Sequence, residues 1–222
     1  MRITFSNLIF ALLSTLIFVA LAVAQTPKSA ETQADPAKKN VRPGEMLATK
    51  SEPFDGASVE KMAQQCVTLQ SEAGNIVIEM LPDSAPENVR NFLNLTATGA
   101  LDTTTFSRIV KDFVIQGGNL STSEKWGIDL AKRITHKVPD EPSLIKHVRG
   151  TVSMARPNEP NSATTSFFIL VADGSNLDGK FSAFGRVTSG MEVVDSINHA
   201  PTAGEKPSKP VHITRAIAAP CQ

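Results

Sequence analysis

Arg108 and Gln116 are the residues whose setting first indicates chemistry, because both lie among apolar side chains in the segment 106–118. An arginine on an apolar, β-rich surface is costly unless its five N–H donors find partners. Those partners are either carbonyls of neighbouring loops, which would make Arg108 structural, or a ligand. The guanidinium stays protonated at physiological pH, so toward a ligand it would act as a fixed donor rather than as an acid or base.

Two further stretches, 150–156 and 161–169, combine small polar residues with the aromatic pair Phe167 and Phe168. A buried core explains such a pair without any function, and we expect one of the two to be core. Residues of equal parity share one face of a strand, so Phe106, Arg108 and Val110 are predicted to lie on the same face. Residues 111–112 form a turn, which resets the side on which the following residue lies.

Spacing and composition exclude most other chemistries. Residues 174–180 have the G-x4-G-K spacing of a phosphate-binding loop, but Phe181 stands where magnesium binding requires Ser or Thr. The four histidines lack metal-ligand spacing, the two cysteines are too few for a four-thiolate zinc site, and the G-x-S-x-G motif of serine hydrolases is missing. With 22 basic and 22 acidic residues, the chain lacks the basic surface that nucleic acid requires. We therefore predict neither a metal nor a cofactor.

Residues 1–24 are predicted to be a secretory signal peptide. Arg2 precedes an uncharged run of 17 residues, 8–24, which ends in a small-residue triplet. An uncleaved membrane anchor is the alternative, although this run is short for a bilayer core of about 30 Å. The signal predicts export, to the periplasm or the medium, with no stable membrane insertion after cleavage. Residues 25–62 contain few large apolar side chains and are predicted to be a flexible polar linker.

Residues 63–222 are predicted to form one domain of mainly β structure. Runs typical of strands lie at 66–69, 76–80, 105–109, 113–116, 151–154, 167–171, 181–187 and 211–216. Pro86 suits the first turn of a helix that ends at Gly99, and a second helix is predicted at 191–197. Short strands together with two helices favour a closed β-barrel capped by helices.

The chain resembles the cyclophilin family of peptidyl-prolyl cis–trans isomerases over residues 66–218. Seven blocks in the family's order and spacing carry the resemblance: Gly74-Asn75-Ile76; Ala85-Pro86 with Asn91-Phe92; Phe106-x-Arg108-Ile109-x3-Phe113-x2-Gln116-Gly117-Gly118; Gly150-Thr151-x-Ser153-Met154-Ala155; Ser166-Phe167-Phe168-Ile169; Leu177-Asp178-Gly179-Lys180; and Phe184-Gly185-Arg186-Val187 with Gly190-Met191. The loop 161–164 is similar to that of bacterial secreted members. The resemblance implies an eight-stranded antiparallel barrel with two capping helices and a substrate groove on one outer face.

The same resemblance assigns roles to individual residues. Arg108 matches the catalytic arginine of the family, and Gln116 matches the glutamine beside it. Phe113 matches a position that lines the proline pocket and is predicted to be catalytic with them. Substrate-binding positions are matched by Val114, Ala155, Arg156, Ser166, Phe168, Leu177 and Phe181. Three residues depart from common family choices: Phe181 replaces His or Tyr, Ser166 replaces Gln, and Asn176 replaces a Trp that contacts cyclosporin in some members.

The reaction implied by the resemblance is rotation about X-Pro bonds in exported polypeptides. Such rotation has a barrier of about 20 kcal/mol and makes or breaks no covalent bond, so it needs no nucleophile. Arg108 would donate a hydrogen bond to the nitrogen of the twisted amide while an apolar pocket holds the proline ring. The alternative is a non-catalytic proline-peptide-binding or chaperone module on the same barrel, because fold does not determine function. We expect a monomer whose partners are proline-containing polypeptides.

Cys66 and Cys221 are the only two cysteines of the chain. In the barrel that the resemblance implies, the first and last strands lie side by side and antiparallel, which would bring these residues together. Export would place the chain where disulfides persist. A Cys66–Cys221 bridge is therefore predicted, with two free thiols as the alternative.

Overall fold

A computed structural model describes residues 51–221. The predicted signal peptide and residues 25–50 of the predicted linker lie outside these described residues. The helices of the described part are α1 (Val59–Ala63), α2 (Pro86–Ala97), α3 (Ile128–Arg133) and α4 (Met191–Asn198). The strands are β1 (Gln65–Ser71), β2 (Gly74–Met80), β3 (Thr105–Phe106), β4 (Arg108–Val110), β5 (Val114–Gly117), β6 (Thr151–Met154), β7 (Phe167–Leu170), β8 (Ala183–Ser189), β9 (Thr202–Ala203), β10 (Lys206–Pro207) and β11 (Val211–Pro220). Within residues 51–221, every helix is too short or too polar to cross a membrane.

Nine of the strands form one sheet in the order β3-β11-β1-β2-β8-β6-β7-β5-β4, and neighbouring strands run antiparallel. The two edge strands, β3 and β4, are consecutive in the chain and are separated only by Ser107, so the sheet closes into a barrel. The amide of Ser107 donates to the carbonyl of Gln116 at 3.0 Å, which fastens the junction to β5. Counted as one interrupted strand, β3 and β4 give the predicted eight-stranded barrel.

The interruption at Ser107 shows that the predicted common face of Phe106, Arg108 and Val110 is wrong. Phe106 pairs with Val211 of β11 and is fully buried in the barrel. Arg108 pairs with Gln116 of β5, and its side chain is half-exposed on the outer surface. One residue between two strands reverses the face on which the following side chains lie. Only Arg108 and Val110 share the outer face.

Aromatic rings fill the centre of the barrel. Phe92 of α2 contacts Phe167 edge-on, with ring centroids 5.2 Å apart, and it contacts Phe184 at 4.9 Å. Phe106 adds a further edge contact to Phe167 at 6.4 Å. Ring pairs at such separations stabilise a core beyond the effect of their buried area alone. Phe167 is thus the core member of the adjacent pair, as expected.

The two predicted helices are present as α2 and α4. Pro86 occupies the first turn of α2, where its missing N–H has no helical acceptor to lose. The free amides of Glu87 and Asn88 donate to the carboxylate of Glu141 at 3.1 and 2.9 Å, so a distant side chain caps this helix. Before α4, Gly190 has a φ of 92°, and a Cβ there would collide with the Asn75 carbonyl, so the turn requires glycine.

Residues 51–63 fold onto the barrel, which places the start of the domain earlier than the predicted linker boundary at residue 62. Arg90 of α2 donates from Nη1 to the carbonyls of Phe54 and Ala57, each at 2.8 Å. The amide of Phe54 donates to Asn94 Oδ1 at 2.8 Å, and Met62 is fully buried in the core. The few apolar residues of this segment show no periodic pattern, and their partners lie on a helix distant in sequence.

The two ends of the barrel meet at a disulfide. Strands β1 and β11 pair antiparallel from Gln65 opposite Pro220 onward, which brings Cys66 beside Cys221. Their sulfur atoms are bonded and their Cα atoms lie 4.9 Å apart, within the normal range for a bridge. The bond encloses almost the whole barrel, with a sequence separation of 155 residues.

Candidate active site

An apolar cluster lies on the outside of the barrel around β5 and β7. Along β7, Phe167 and Ile169 belong to the interior core, whereas Phe168 and Leu170 belong to this outer cluster. The alternation follows from the two-residue period of a strand. Its buried members are Val114, Phe168 and Leu170, with Val110, Phe113, Ala155, Leu177 and Phe181 packed against them at partial exposure. A second apolar cluster that reaches the surface is typical of a ligand site.

Strand register aligns the polar groups of the site with this outer cluster. Arg108 lies opposite Gln116 across the β4–β5 pair, and Gln116 lies opposite Phe168 across the β5–β7 pair. Directly opposed residues in antiparallel strands have Cβ atoms about 5 Å apart. A cation, an amide and an aromatic ring therefore form one row across three strands.

The guanidinium of Arg108 is held on two sides. Its Nη1 donates to Gln116 Oε1 at 3.2 Å. Its Nε and Nη2 donate to the two carboxylate oxygens of Glu205 at 2.7 and 3.2 Å, in a bidentate ion pair. Arginine has five N–H donors, and these contacts use three of them, so two remain for a ligand. The partners of Arg108 are thus side chains and not the loop carbonyls of the structural interpretation, and its role toward a ligand stays a prediction.

The outer cluster lines a hollow of about 140 Å³. Its walls are formed by Arg108, Phe113, Val114, Gln116, Ala155, Arg156, Phe168, Leu177 and Phe181. Pockets for drug-sized ligands usually measure about 300–1,000 Å³. This hollow therefore suits one apolar side chain, with two donors of Arg108 at its rim. It brings together every predicted catalytic and substrate-binding residue except Ser166.

One wall of the hollow depends on Arg156. The ring of Phe181 stands edge-on to Phe168, with centroids 5.8 Å apart, and the Arg156 guanidinium lies 5.1 Å from the Phe181 ring centre. Arg156 also pairs with Asp140 at 3.0 Å and donates from Nη2 to the Lys180 carbonyl at 3.2 Å. These contacts engage the guanidinium with protein groups, so the Arg156 side chain supports the wall of the hollow.

Ser166 lies in a second, more polar hollow that adjoins the first. This hollow measures about 670 Å³ and shares four residues with the first: Arg108, Gln116, Ala155 and Arg156. Its remaining walls are formed by Asn119, Pro157, Ser162, Thr164 and Ser166. A peptide can thus extend from the apolar hollow along a polar surface, with Arg108 at the border between the two.

The family model named "Cyclophilin type peptidyl-prolyl cis-trans isomerase/CLD" matches residues 66–218 of the chain. The chain belongs to this family. Cyclophilin-type peptidyl-prolyl cis–trans isomerisation is accordingly its reaction, and proline-containing peptides are its substrates.

Curated relatives and solved structures agree with this membership. "Peptidyl-prolyl cis-trans isomerase cypE" of Dictyostelium discoideum is 38% identical over 159 residues, which cover 71% of this chain and 99% of the relative. "Peptidyl-prolyl cis-trans isomerase A" of Dickeya dadantii is 37% identical over 161 residues, covering 68% and 82%. The crystal structure of a Cryptosporidium parvum cyclophilin type isomerase has a TM-score of 0.63 and 28% identity, covering 71% of this chain and 99% of that one.

Asn176, which replaces the Trp of some cyclophilins, lies outside the walls of the apolar hollow. It is exposed in a short 3₁₀ turn, Ser175–Leu177, and only the neighbouring Leu177 reaches the hollow. The Asn176 carbonyl accepts a hydrogen bond from Lys180 Nζ at 3.0 Å.

Sequence analysis missed a buried polar group behind the cyclophilin site. His147 is 2% exposed and stacks against Phe168, with ring centroids 6.5 Å apart. Its Nδ1 lies 3.2 Å from Asp178 Oδ1, and its Nε2 lies 3.0 Å from Ser153 Oγ. A carboxylate only accepts, so Nδ1 carries the proton and the Ser153 hydroxyl donates to Nε2. Burial lowers the pKa of His147 below 6.5, against the opposing effect of Asp178, and keeps the ring neutral.

The Ser153–His147–Asp178 chain has the residue types of a hydrolase triad, but Ser153 is fully buried. A substrate carbonyl cannot reach its hydroxyl, so these hydrogen bonds orient the His147 ring beneath Phe168. The only sequence sign of this network was the presence of His147 and Asp178 in two separate segments. A second missed residue is Glu205, which is 97 positions from Arg108.

Proposed function

We propose that this cyclophilin accelerates X-Pro rotation in exported polypeptides, with Arg108 as the hydrogen-bond donor to the twisted amide. The proline ring would occupy the apolar hollow, and the flanking peptide would lie along the polar hollow. The observation that carries the proposal is the position of Arg108, which borders both hollows and has two N–H donors unused by protein groups.

The geometry supports a mechanism without proton transfer. As an X-Pro amide twists, its nitrogen loses resonance and becomes a pyramidal acceptor. A donor at the rim of the ring-binding hollow stabilises this state more than the planar ground state, and such differential binding lowers a barrier. Phe113, Phe168 and Leu177 exclude water from one side of the ring, which strengthens the hydrogen bond.

Arg108 alone does not account for enzymatic rates. Acceleration from about 0.01 to 1,000 s⁻¹ corresponds to about 7 kcal/mol. A hydrogen bond to a charged group contributes about 1.5–3 kcal/mol. The remainder must come from fixing the proline ring while the preceding carbonyl rotates, and from desolvation in the hollow. Phe113 and Gln116 therefore act with Arg108, the first on the ring and the second on the guanidinium.

Two features support export of the substrate-binding domain. The residue pattern of positions 1–24 is that of a cleavable signal, and the Cys66–Cys221 bridge is of a kind that persists in oxidising compartments. The loop 161–164 further favours the bacterial secreted branch of the family. We accordingly propose a monomer in the periplasm or the medium, without membrane insertion after cleavage at Ala24.

A peptide assay tests the catalytic part of this proposal. Residues 25–222 are purified with the bridge intact, and cis-to-trans relaxation of a proline tetrapeptide is followed after a solvent jump. We expect a rate constant proportional to enzyme concentration. Peptide binding without any acceleration would instead support the non-catalytic chaperone alternative.

Export is tested by the mass of the protein recovered from the producing cells. The expected chain begins at Gln25 and is found in the periplasmic or extracellular fraction. A full-length chain retained in the cytosolic fraction would contradict export, and a full-length chain retained in the membrane fraction would support the anchor alternative.

A further inference from the structure

Glu205 faces the reactive guanidinium from outside both hollows. Its two carboxylate oxygens accept from Nε and Nη2 of Arg108, while it contributes to neither hollow. We propose that Glu205 is a positioning residue, which fixes the plane of Arg108 so that its unused donors point toward the substrate. The inference rests on the proposed role of Arg108.

The backbone holds Glu205 in place for this task. Glu205 lies in the tight turn between β9 and β10, where Gly204 has a φ of 62°. Its carbonyl accepts a hydrogen bond from the amide of Ile109 at 2.8 Å, so the hairpin docks directly beside Arg108 on β4. The backbone hydrogen bond thus fixes the position from which the Glu205 carboxylate reaches Arg108.

The two partners of Arg108 constrain different edges of the guanidinium. Glu205 occupies the Nε–Nη2 edge with two parallel hydrogen bonds, and Gln116 takes one donor of Nη1. A bidentate carboxylate fixes the plane of an arginine as well as its distance, which a single acceptor cannot do. The hydrogen bond to Arg108 holds the pKa of Glu205 below 4.5, so the carboxylate is charged at neutral pH.

The remaining acceptor, Gln116, cannot replace this function. The side chain of Arg108 is half-exposed, so without the Glu205 carboxylate only the single hydrogen bond to Gln116 would hold its guanidinium against the protein. A catalytic donor must be held within about 0.5 Å and 10–20° of its productive geometry. Loss of the carboxylate should therefore reduce stabilisation of the twisted amide and leave peptide binding in the ground state nearly unchanged.

The experiment is a double-mutant cycle on the bridged domain, measured by kcat and KM for a proline tetrapeptide. Glu205→Gln keeps size and one acceptor, Arg108→Ala removes the cation, and the double variant combines them. Lys206→Gln is the control, because Lys206 is exposed on the same hairpin and has no ion pair among residues 51–221. We expect Glu205→Gln to lower kcat about threefold to tenfold with KM within about twofold. In the Arg108→Ala background, the same substitution should have no further effect.

A spectroscopic measurement tests the positioning directly. The ¹H–¹⁵N signal of Arg108 Nε, assigned by its loss in Arg108→Ala, should be slowly exchanging in the wild type and fast in Glu205→Gln. Three outcomes would overturn the proposal: the Nε–H of Arg108 exchanges equally slowly in Glu205→Gln, the kcat of Glu205→Gln equals that of the wild type, or Glu205→Gln lowers kcat equally in the wild-type and Arg108→Ala backgrounds. If Arg108→Ala is inactive and Glu205→Gln is normal, only the role of Glu205 fails; if Arg108→Ala is normal, the proposed mechanism fails first.

Discussion

Replacement of Arg108 by alanine is the sharpest test of the mechanism. The substitution removes the donor at the rim of the apolar hollow and leaves the apolar walls in place. One hydrogen bond to a charged group is worth about 1.5–3 kcal/mol. At 1.36 kcal/mol per decade, kcat/KM should fall about tenfold to 150-fold. The fold should remain intact, because the side chain is half-exposed and its two partners, Gln116 and Glu205, remain accessible to water.

The assay compares kcat/KM of the wild type, Arg108→Ala, Arg108→Lys and Arg186→Ala on one peptide. Arg186 is an exposed arginine of β8 outside the walls of both hollows, so its substitution should leave activity unchanged. Lysine keeps the charge but loses the planar fork, and an intermediate activity is expected. Wild-type activity of Arg108→Ala, folded by circular dichroism, would refute the reasoning, since an arginine without effect cannot be the donor.

Three further predictions follow from other contacts. The lowered pKa of His147 means that the unfolded state binds the extra proton first, so the free energy of unfolding should fall as pH decreases below 6.5. The free energy of unfolding, measured by chemical denaturation at several pH values, should change less steeply with pH in His147→Gln than in the wild type. An equally steep change in both proteins would contradict the assignment. Cyclosporin should bind weakly because Asn176 offers little apolar area, and Asn176→Trp should strengthen binding in a calorimetric titration; nanomolar affinity of the wild type would refute this. The denatured, unreduced protein should show no free thiol, and reduction of Cys66–Cys221 should lower the free energy of unfolding by up to about 5 kcal/mol; two titratable thiols would exclude the bridge.

Local sequence patterns were sufficient to predict the helices and strands that are stabilised by residues close to them in the chain. The hairpin of β1 and β2 and the helices α2 and α4 have clear apolar periods and turn residues, and they lie within a few residues of their predicted positions. The apolar members of the site were predicted only through the resemblance to the cyclophilin family, whose motifs match them residue by residue. Val114 and Phe168, for example, lie in consecutive strands of the sheet.

Three features that depend on distant partners had no signal in the sequence. The break at Ser107 depends on pairing with β11 on one side and β5 on the other, so the run 105–109 looked like one strand. The packing of Phe54 depends on Asn94, and the position of Glu205 depends on a hairpin of two-residue strands that docks on β4. Neither the segment around Phe54 nor the hairpin of Glu205 has a hydrophobic period. Both are held by hydrogen bonds to residues distant in the sequence.

The disulfide changes the effect of a single proteolytic cleavage between Cys66 and Cys221. Between Cys66 and Cys221 the polypeptide is a covalent ring, closed on one side by the peptide chain and on the other by sulfur. Proteases cut most readily at exposed loop tips, and Leu144 is 97% exposed in such a loop. Cleavage there would open the ring without releasing either half. The new ends would stay tethered at high effective concentration, so the nicked barrel could reassemble without a search through solution.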